Sequence, residues 1–363
     1  MIPVAQPVLG EAEELALRKC VKEGWISYRG PQVGEFEKSF AEYIGVSHSI
    51  ATSSGTSALH LALLALGVKP GDKVIVPALT FVATANAVRY CGAEPVFVDS
   101  NVDCWCLDPK EAYKKVQDEK GIVGIIAVHL YGHPADMDAI NFIARDAGIW
   151  VVEDCAESLG ALYLGRPTGS FSEVSCFSFF ANKVITTGEG GMCLTNDESL
   201  AKKIRMLGDH GTSPGNHYWH EVVGYNYRMT NLQAAVGLAQ LNKIEYLLML
   251  RDKVEGFYNT NLRGVIGIQL PPSIGWARTV NWQYTMLLTN GITRNTLAMY
   301  LKERGIETRP AFYTIPSMPP YSSHELFPNA EYISKRGLSL PSSPLLTTPE
   351  LGYICDCIKE ALQ

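Results

Sequence analysis

One lysine and one acidic cluster carry the chemistry that this sequence most clearly predicts. Lys183 lies in the glycine-rich run 178–191, and the acidic cluster 153–157 (Glu-Asp-Cys-Ala-Glu) precedes it by about thirty residues. A lysine amine can form a Schiff base with an aldehyde, and an aspartate beside a pyridinium nitrogen keeps that ring protonated as an electron sink. The pair therefore predicts pyridoxal phosphate chemistry with Lys183 and Asp154 as catalytic residues. Taken alone, Lys183 would more often be an ordinary loop lysine.

A hydroxyl-rich segment is the candidate for binding a phosphate. Residues 53–57 (Ser-Ser-Gly-Thr-Ser) stand directly before the apolar helical segment 58–66, so that hydroxyls and unpaired N–H groups gather at a helix N-terminus. Gly55, Thr56 and Ser57 are the predicted contacts. Plain N-capping by serine or threonine is the more frequent use of such a segment and stays open as the alternative.

Two further side chains are placed where they could meet a planar ring. Phe81 follows the apolar run 74–76, so it lies at a strand's carboxyl end, where an aromatic face could cover a cofactor. A core phenylalanine is the alternative. Glu157 could accept a hydrogen bond from a ring hydroxyl or support Asp154, but it could equally be a solvated loop carboxylate.

The composition predicts a globular protein with a small-molecule ligand. The 363 residues are 47% hydrophobic and carry a net charge of -6, enough for a large core and two domains of unequal size. The acidic balance, without runs of lysine or arginine, argues against nucleic acid or an anionic membrane as partner. The start of the chain lacks the features of a signal peptide and no run reaches membrane-spanning length, so we expect a cytoplasmic location.

Cysteine and histidine spacings argue against a metal site. The nine cysteines are spread over the chain, and the close pairs 104/106 and 355/357 have a single residue between partners, fewer than zinc sites use. His129 and His133 are four residues apart, but Gly132 and Pro134 break the helix that would align them. We therefore predict buried free thiols and no metal.

Between residues 50 and 205, short apolar runs alternate with longer amphipathic segments, which is typical of βαβ units around a mainly parallel sheet. The predicted strands are 73–77, 95–99, 123–130, 150–154, 175–179 and 192–195, and the predicted helices are 56–66, 81–91, 109–116, 136–147 and 198–207. Ligands of such sheets gather at the strands' carboxyl ends, where Thr80, His129 and Asp154 fall.

The C-terminal part predicts a smaller α/β domain. One long helix over 235–262 leads to a strand at 283–289 and a helix at 293–304. The proline-rich loop 309–328 has a composition suited to an ordered aromatic flap, with a surface linker as the even alternative. The predicted division is a large domain, 1–245, and a small domain, 246–363.

Five segments, in this order, resemble the DegT-type nucleotide-sugar aminotransferases of PLP fold type I. They are Gly24-Trp25-Ile26-Ser27, residues 54–61 (SGTSALHL), residues 76–81 (VPALTF), residues 153–157 (EDCAE) and residues 187–191 (TGEGG), and the similarity runs along essentially the whole chain. The resemblance implies an aspartate aminotransferase-like fold, in which a seven-stranded mixed sheet lies between helices beside a smaller C-terminal α/β domain.

The resemblance also implies a role for each motif residue. Lys183 would bind the cofactor and carry protons, and Asp154 would face the pyridinium nitrogen. Glu157 would bond the ring oxygen, and Phe81 would stack on the ring. Gly55, Thr56 and Ser178 would hold the phosphate, and Asn226 would reach the phosphate of a partner subunit, so that the active unit is a homodimer or a higher oligomer.

Other segments, among them 177–180, 218–220, 224–231 and 307–310, most resemble family members that aminate C4 of GDP-4-keto-6-deoxymannose. The implied reaction uses L-glutamate as donor and passes through the pyridoxamine phosphate form of the cofactor. A UDP- or dTDP-4-keto-6-deoxyglucose 4-aminotransferase is the alternative, and a non-catalytic PLP-binding regulatory module is a remote one. The candidate contacts to sugar and diphosphate are Trp25, Tyr28, His129, Arg228 and Tyr313.

Two positions depart from the family's usual pattern. Ala181 stands where close relatives usually have glycine; it adds a methyl group beside Lys183 and removes no functional group. Glu157 stands where many relatives have glutamine. A carboxylate there should favour the protonated form of the ring oxygen, so we expect the cofactor's absorption to shift with pH.

Overall fold

The computed structural model describes residues 1–212, 218–289 and 291–363. Its helices, α1 to α12 in chain order, are Glu11–Glu23, Pro31–Ile44, Gly55–Leu66, Ala83–Tyr90, Pro109–Asp118, Met137–Ala147, Glu198–Gly208, Asn231–Leu241, Ile244–Leu262, Arg294–Glu303, Pro328–Arg336 and Thr348–Leu362. Its strands, β1 to β14, are His48–Thr52, Lys73–Pro77, Glu94–Val98, Ile122–Val128, Trp150–Asp154, Leu162–Tyr163, Arg166–Pro167, Val174–Ser178, Gly191–Thr195, Ile268–Gln269, Ala277–Arg278, Thr285–Leu288, Arg309–Pro310 and Gly337–Ser339.

A seven-stranded mixed sheet in the order β1-β9-β8-β5-β4-β2-β3 organises the N-terminal part. The run from β3 to β8 is parallel, and β9 pairs antiparallel with both β8 and β1. The predicted α/β class with a seven-stranded mixed sheet is therefore confirmed. Because the parallel strands end at one edge, Asp154 at the end of β5 and Ser178 at the end of β8 come side by side.

An aromatic cluster fixes α2 against the sheet next to the Lys183 loop. Phe36 and Phe40 of α2 are fully buried, as are Phe177 in β8 and Phe179 just after it. Ring centroids of Phe36 and Phe179 lie 5.2 Å apart, and those of Phe40 and Phe177 lie 5.1 Å apart. Such tilted and edge-on pairs each add about 0.5–1.5 kcal/mol beyond burial. The cluster anchors the chain four residues before Lys183.

The C-terminal part forms a four-stranded antiparallel sheet, β10-β12-β14-β13. Helices α9, α10 and α12 pack with it around a separate core that includes Val254, Tyr258, Leu301, Leu338 and Ile354. This agrees with the predicted smaller α/β unit. The domain boundary at residue 245 falls inside α9 and stays a prediction.

The single long helix predicted over 235–262 is wrong. Two helices occupy this region, and they are separated at Asn242 and Lys243. Only Lys243 leaves the helical range, with a φ of -115° and a ψ of 19°. The ammonium group of Lys243 lies 2.6 Å from the buried carboxylate of Glu13 in α1. The residue at the break is thus tied to α1, and the periodicity of the segment could not reveal this contact.

Strand β1 was missed, because its sequence is short and only half apolar. Within the proline-rich loop the prediction of ordered structure fits better than a linker, since Ile315 and Tyr321 are buried. All nine cysteines are buried and free, as predicted. Within the parts of the chain that the structure describes, no helix combines the length and hydrophobicity needed to cross a bilayer.

Candidate active site

A cavity of about 370 Å³ lies where the parallel strands end, between the large sheet and the C-terminal sheet. It is lined by residues that belong to seven segments of the chain: Ser54, Gly55, Thr56, Leu59, Thr80, Phe81, Ala83, Val128, Asp154, Ala156, Glu157, Ser178, Phe180, Asn182, Lys183, Glu189, Trp282, Gln283, Arg309, Pro310 and Phe312. The structure thus brings together seven of the predicted cofactor residues: Gly55, Thr56, Phe81, Asp154, Glu157, Ser178 and Lys183.

Lys183 lies on a turn that hydrogen bonds hold on both sides. Its N–H donates to the Phe180 carbonyl at 2.9 Å, and the Thr187 N–H donates to the Phe179 carbonyl at 3.0 Å. The amine nitrogen lies 3.5 Å from the ring centroid of Trp282. Burial lowers the pKa of Lys183 below its ordinary value, and the nearby carboxylates oppose this only in part. The amine is therefore closer to its neutral, nucleophilic form at physiological pH than a surface lysine.

Two buried carboxyl groups face this amine. Asp154 accepts hydrogen bonds from the Thr84 hydroxyl at 2.8 Å and from the Ala156 N–H at 3.1 Å. Burial raises its pKa, and these two bonds counteract the rise. Glu157 accepts the Tyr131 N–H at 2.7 Å, and burial raises its pKa above the ordinary range. Both carboxyl groups therefore lie where they can pair with a positively charged group.

The N-terminus of α3 divides its hydroxyls between capping and the cavity. Ser54 and Ser57 form a reciprocal capping box, with the Ser57 N–H donating to Ser54 Oγ at 3.1 Å and the Ser54 N–H donating to Ser57 Oγ at 2.9 Å. Ser57 is buried and does not line the cavity, so the capping interpretation holds for it. Thr56 does line it. Ser57 therefore has a structural role in the cap, and its contact with the cofactor stays a prediction.

Gly55 allows α3 to approach the end of β8. A Cβ atom on Gly55 would lie 2.8 Å from Cβ of Ser178, a contact that real side chains essentially never make. Only glycine therefore lets the helix N-terminus and the Ser178 hydroxyl converge on one point. With Thr56 and Ser178 lining the cavity there, the arrangement has the donor set of a phosphate site.

Aromatic rings form another part of the cavity wall. Phe81 is 55% exposed, unlike a core residue, and its ring centroid lies 5.8 Å from that of Phe312. Phe312 stacks on Tyr131 with ring centroids 5.2 Å apart. The first aromatic residue of the proline-rich loop thus lines the cavity, which agrees with the interpretation of that loop as a flap.

These residues fit pyridoxal phosphate. The cavity combines an amine of lowered pKa, a buried carboxylate, hydroxyls at a helix N-terminus and an uncovered aromatic face. These are the partners that a Schiff-base aldehyde, a pyridinium nitrogen, a phosphate and a planar ring require.

Three of the predicted substrate contacts lie elsewhere. Tyr28 and Arg228 line a second cavity of about 180 Å³, where the Arg228 guanidinium lies over the Tyr28 ring at 4.0 Å and pairs with Asp209. The side chain of Asn226 is exposed and accepts a hydrogen bond from Arg228 Nε at 3.0 Å. Trp25 is 46% exposed and outside both cavities. Within this chain, none of these side chains meets Lys183.

His129 is fully buried below the cavity floor. The Ala135 N–H donates to its Nδ1 at 3.0 Å, so Nε2 carries the proton and donates to Glu153 at 3.1 Å. Glu153 also accepts hydrogen bonds from the main-chain N–H groups of Gly169 and Phe171. Both nitrogens of His129 are occupied, so the structure contradicts a direct sugar contact and assigns it a supporting role under Asp154.

Tyr313 is 56% exposed beside the Arg294 guanidinium and does not line the Lys183 cavity. Two lining residues were missed by the sequence reasoning, Arg309 and Trp282. Arg309 stands in β13, and its side chain makes no hydrogen bond or ion pair to any described residue. An arginine next to a proline at a strand edge is the signal in the sequence that could have indicated Arg309.

Comparison with known proteins agrees with the chemistry of this cavity. Residues 7–359 match the model of the DegT/DnrJ/EryC1/StrS aminotransferase family. The chain belongs to this family. It is 41% identical to a GDP-perosamine synthase of Escherichia coli O157:H7, covering 99% of the chain and 98% of that protein. It is 43% identical to a GDP-perosamine synthase of Caulobacter vibrioides, with the same coverage.

Solved structures of similar aminotransferases confirm the fold. Streptomyces venezuelae DesV, solved with a ketimine intermediate, superposes with a TM-score of 0.91 at 34% identity and covers 97% of this chain and 94% of its own. A Streptococcus pneumoniae protein solved in its PLP form reaches 0.93 at 27% identity, covering 99% of this chain and 98% of its own. The family membership makes this chain a pyridoxal-phosphate-dependent aminotransferase.

Proposed function

We propose that the protein transfers the amino group of L-glutamate to the C4 ketone of GDP-4-keto-6-deoxy-D-mannose and so forms GDP-perosamine. The observation that carries this proposal is the full-length similarity, at 41% and 43% identity, to two relatives named GDP-perosamine synthase. The Lys183 cavity supports it, because it has a proton carrier and an anchoring carboxylate in one enclosed space. A glycan-building role would follow for the product.

The cavity residues divide the work of transamination. Asp154 would hold the ring nitrogen of the cofactor, Thr56 and Ser178 its phosphate, Glu157 its ring oxygen and Phe81 its face. When bound, pyridoxal phosphate supplies the electron sink for the electrons of the broken C–H bond. Nζ of Lys183, whose lowered pKa leaves more of the amine neutral than in a surface lysine, takes a proton from the α-carbon of glutamate and later delivers one to C4 of the sugar.

Arg309 is the proposed contact for an anionic group of the substrates. Besides Lys183, it is the only cation among the described residues that line the cavity, and no carboxylate in the described chain neutralises it. Glutamate and the nucleotide sugar are both anions and must occupy the cavity in turn. A guanidinium binds carboxylate or diphosphate oxygens equally well through its planar fork.

A second subunit is proposed to complete the site. Asn226, Arg228 and Tyr28 stay apart from Lys183 within one chain, whereas the resemblance implies that Asn226 reaches the partner's phosphate. A homodimer that places Asn226, Arg228 and Tyr28 at the partner's cavity would account for both their distance from Lys183 and the implied role of Asn226. A cytoplasmic location remains a prediction from the sequence.

An absorbance experiment tests the proposal. The purified protein is loaded with pyridoxal phosphate, treated with L-glutamate, and then given the 4-keto-6-deoxy sugar linked to GDP, UDP or dTDP in separate samples. We expect glutamate to bleach the visible cofactor band and only the GDP sugar to restore it, with the aminated sugar detected by mass spectrometry. Restoration by the UDP or dTDP sugar alone would establish the alternative substrate, and no response to glutamate would leave a non-catalytic PLP-binding module.

A further inference from the structure

An arginine occupies the buried face of α9 where the helical period calls for an apolar side chain. The buried residues of this helix follow the spacing of an amphipathic helix: Leu247, Leu248, Arg251, Val254 and Tyr258. Arg251 is only 6% exposed. Burying a guanidinium is costly unless its charge and its N–H groups find partners.

The partners of Arg251 are two main-chain carbonyls. Nη1 donates to the carbonyl of Trp282 at 3.2 Å, and Nη2 donates to the carbonyl of Lys183 at 3.3 Å. Nε has no hydrogen-bond partner, and none of the ion pairs among the described residues includes Arg251. A buried, uncompensated charge is thus directed at the main chain of the reactive lysine, and such charges concentrate at functional sites.

Trp282 holds the same main chain from the other side. Its Nε1–H donates to the carbonyl of Asn182 at 2.8 Å, and its own N–H donates to the Tyr131 carbonyl at 3.1 Å. Its ring lies under the Lys183 amine, with 3.5 Å between nitrogen and ring centroid. Trp282 is therefore fixed to the loop after β4 and binds the carbonyl of Asn182 directly. Arg251 connects Trp282 to the next residue, because it donates to the carbonyls of both Trp282 and Lys183.

We propose that Arg251 and Trp282 form a latch that positions Lys183 for transamination by binding the main chain at Asn182 and Lys183. The inference rests on the proposed function, because it assigns the latch to that reaction. Lys183 must alternate between holding the cofactor and moving protons. Its main chain must stay in place while its side chain moves. Hydrogen bonds to the main-chain carbonyls meet both needs, because they hold the main chain and leave the amine unbound.

The latch also acts on the charge of the amine. The charged groups that face Lys183 are Asp154, Glu157 and Arg251. Burial lowers the pKa of Lys183, the two carboxylates raise it, and Arg251 lowers it. Loss of the Arg251 charge should therefore raise the pKa of Lys183 and reduce the fraction of neutral amine near pH 7.

Three substitutions separate these effects. Arg251→Met removes the charge and both hydrogen bonds at similar length. Arg251→Lys keeps the charge without the two-pronged donor. Trp282→Phe removes the indole N–H and reduces the ring system to one aromatic ring. Lys253→Met is the matched control, because Lys253 is an exposed cation on the same helix. Melting temperatures of all four variants report folding.

Two readouts are compared with wild type. The first is the pH midpoint at which the Lys183 amine of the cofactor-free protein is acylated, followed by peptide mass spectrometry. The second is the split between kcat and KM in transamination. For Arg251→Met we expect a higher midpoint and a kcat lowered on the order of 10- to 100-fold at little changed KM, because small displacements of a reacting group have effects of this size.

For Arg251→Lys we expect a midpoint near wild type and a kcat between those of wild type and Arg251→Met. Trp282→Phe should lower kcat about tenfold without a matching change in KM. A wild-type midpoint and kcat in folded Arg251→Met, with only its melting temperature reduced, would overturn the latch. If Arg251→Met does not fold, unchanged kcat in both other variants would overturn it.

The labelling readout separates this inference from the proposed function. Acylation of the cofactor-free protein needs no turnover, so a shifted midpoint in Arg251→Met supports the latch even if the GDP sugar proves not to be the substrate. Glutamate that fails to bleach the wild-type cofactor band would sink the proposed function. A wild-type midpoint and a wild-type kcat in Arg251→Met, beside normal turnover of the wild-type protein, would sink only the latch.

Discussion

Two cavities of this molecule differ in how their polar groups are satisfied. Around Lys183, the cavity exposes groups that lack full partners, among them the Lys183 amine and the Arg309 guanidinium. Around Tyr28, Arg228 is already bonded to Asp209, Asn226 and His210. The polar groups of the first cavity are available to bind ligands, whereas Arg228 in the second cavity already has its partners within the same chain. A single chain therefore brings most of the predicted cofactor residues together, whereas in the proposed homodimer Asn226, Arg228 and Tyr28 would join the cavity of a second subunit.

Loss of the Lys183 amine should have the largest effect on this comparison. Lys183→Ala removes both the cofactor attachment and the proton carrier, so we expect kcat to fall at least about 1000-fold, consistent with the loss of general acid–base catalysis. Steady-state assay with glutamate and the GDP sugar measures this. Lys202→Ala is the control, since Lys202 is an exposed surface lysine paired with Glu198. A variant at position 183 that kept a tenth of the wild-type kcat would refute its assigned role.

Neutralising the free arginine of the first cavity should have an intermediate effect. Arg309→Gln removes the cation that no described residue pairs with, so KM for at least one anionic substrate should rise about tenfold while kcat stays within about threefold. Separate titrations of glutamate and of the GDP sugar identify which anion it contacts. Arg263→Gln, an exposed arginine outside the cavity, serves as the comparison. Unchanged KM for both substrates would exclude Arg309 from binding.

Glu157 should give the smallest effect, seen as a pH dependence of stability. Burial raises its pKa in the folded protein above the ordinary value near 4.5, so the folded state binds this proton more tightly than the unfolded state. Stability is then lost as pH rises from the unfolded pKa through the folded one. Glu157→Gln removes that loss and can still accept the Tyr131 N–H.

We expect the cofactor-free Glu157→Gln protein to gain about 1–2 kcal/mol of unfolding free energy at pH 8, with the gain vanishing below about pH 5. Thermal melts across this range measure it, with Glu11→Gln as an exposed control. An equal gain at both ends of the range would mean that Glu157 is not buried as an acid.

Sequence reasoning succeeded where neighbouring motifs end on neighbouring strands. Asp154 ends β5 and Ser178 ends β8, and these strands pair directly, so spacing along the chain translated into proximity. Thr56 follows the same logic, because α3 begins beside them. Family resemblance supplied roles that spacing alone left open, such as the choice between capping and phosphate binding at residues 55–57. The structure divided that choice, giving Ser57 to the cap and Thr56 to the cavity.

Sequence reasoning failed where contacts between distant parts of the chain determine the position or the partners of a residue. His129 stands at a strand end like Asp154, but its nitrogens are taken by Ala135 and Glu153, and nothing local signals this. Trp282 and Arg309 reach the cavity from the C-terminal part, about 100 residues or more after Lys183. Lys243, at the break between α8 and α9, pairs with a carboxylate in α1. Each depends on tertiary partners that no local pattern encodes.

A heterodimer made from two defective chains tests the division between the cavities most directly. One chain carries Lys183→Ala and the other carries Asn226→Asp, which sets a carboxylate against the partner's phosphate. Co-expression with two affinity tags and sequential purification yields the mixed dimer. If Asn226 serves the partner's cavity, one of the two sites holds both changes and the other is intact, so we expect about half the wild-type activity from two chains that are each nearly inactive as homodimers. A mixed dimer no more active than either parent would contradict the shared site.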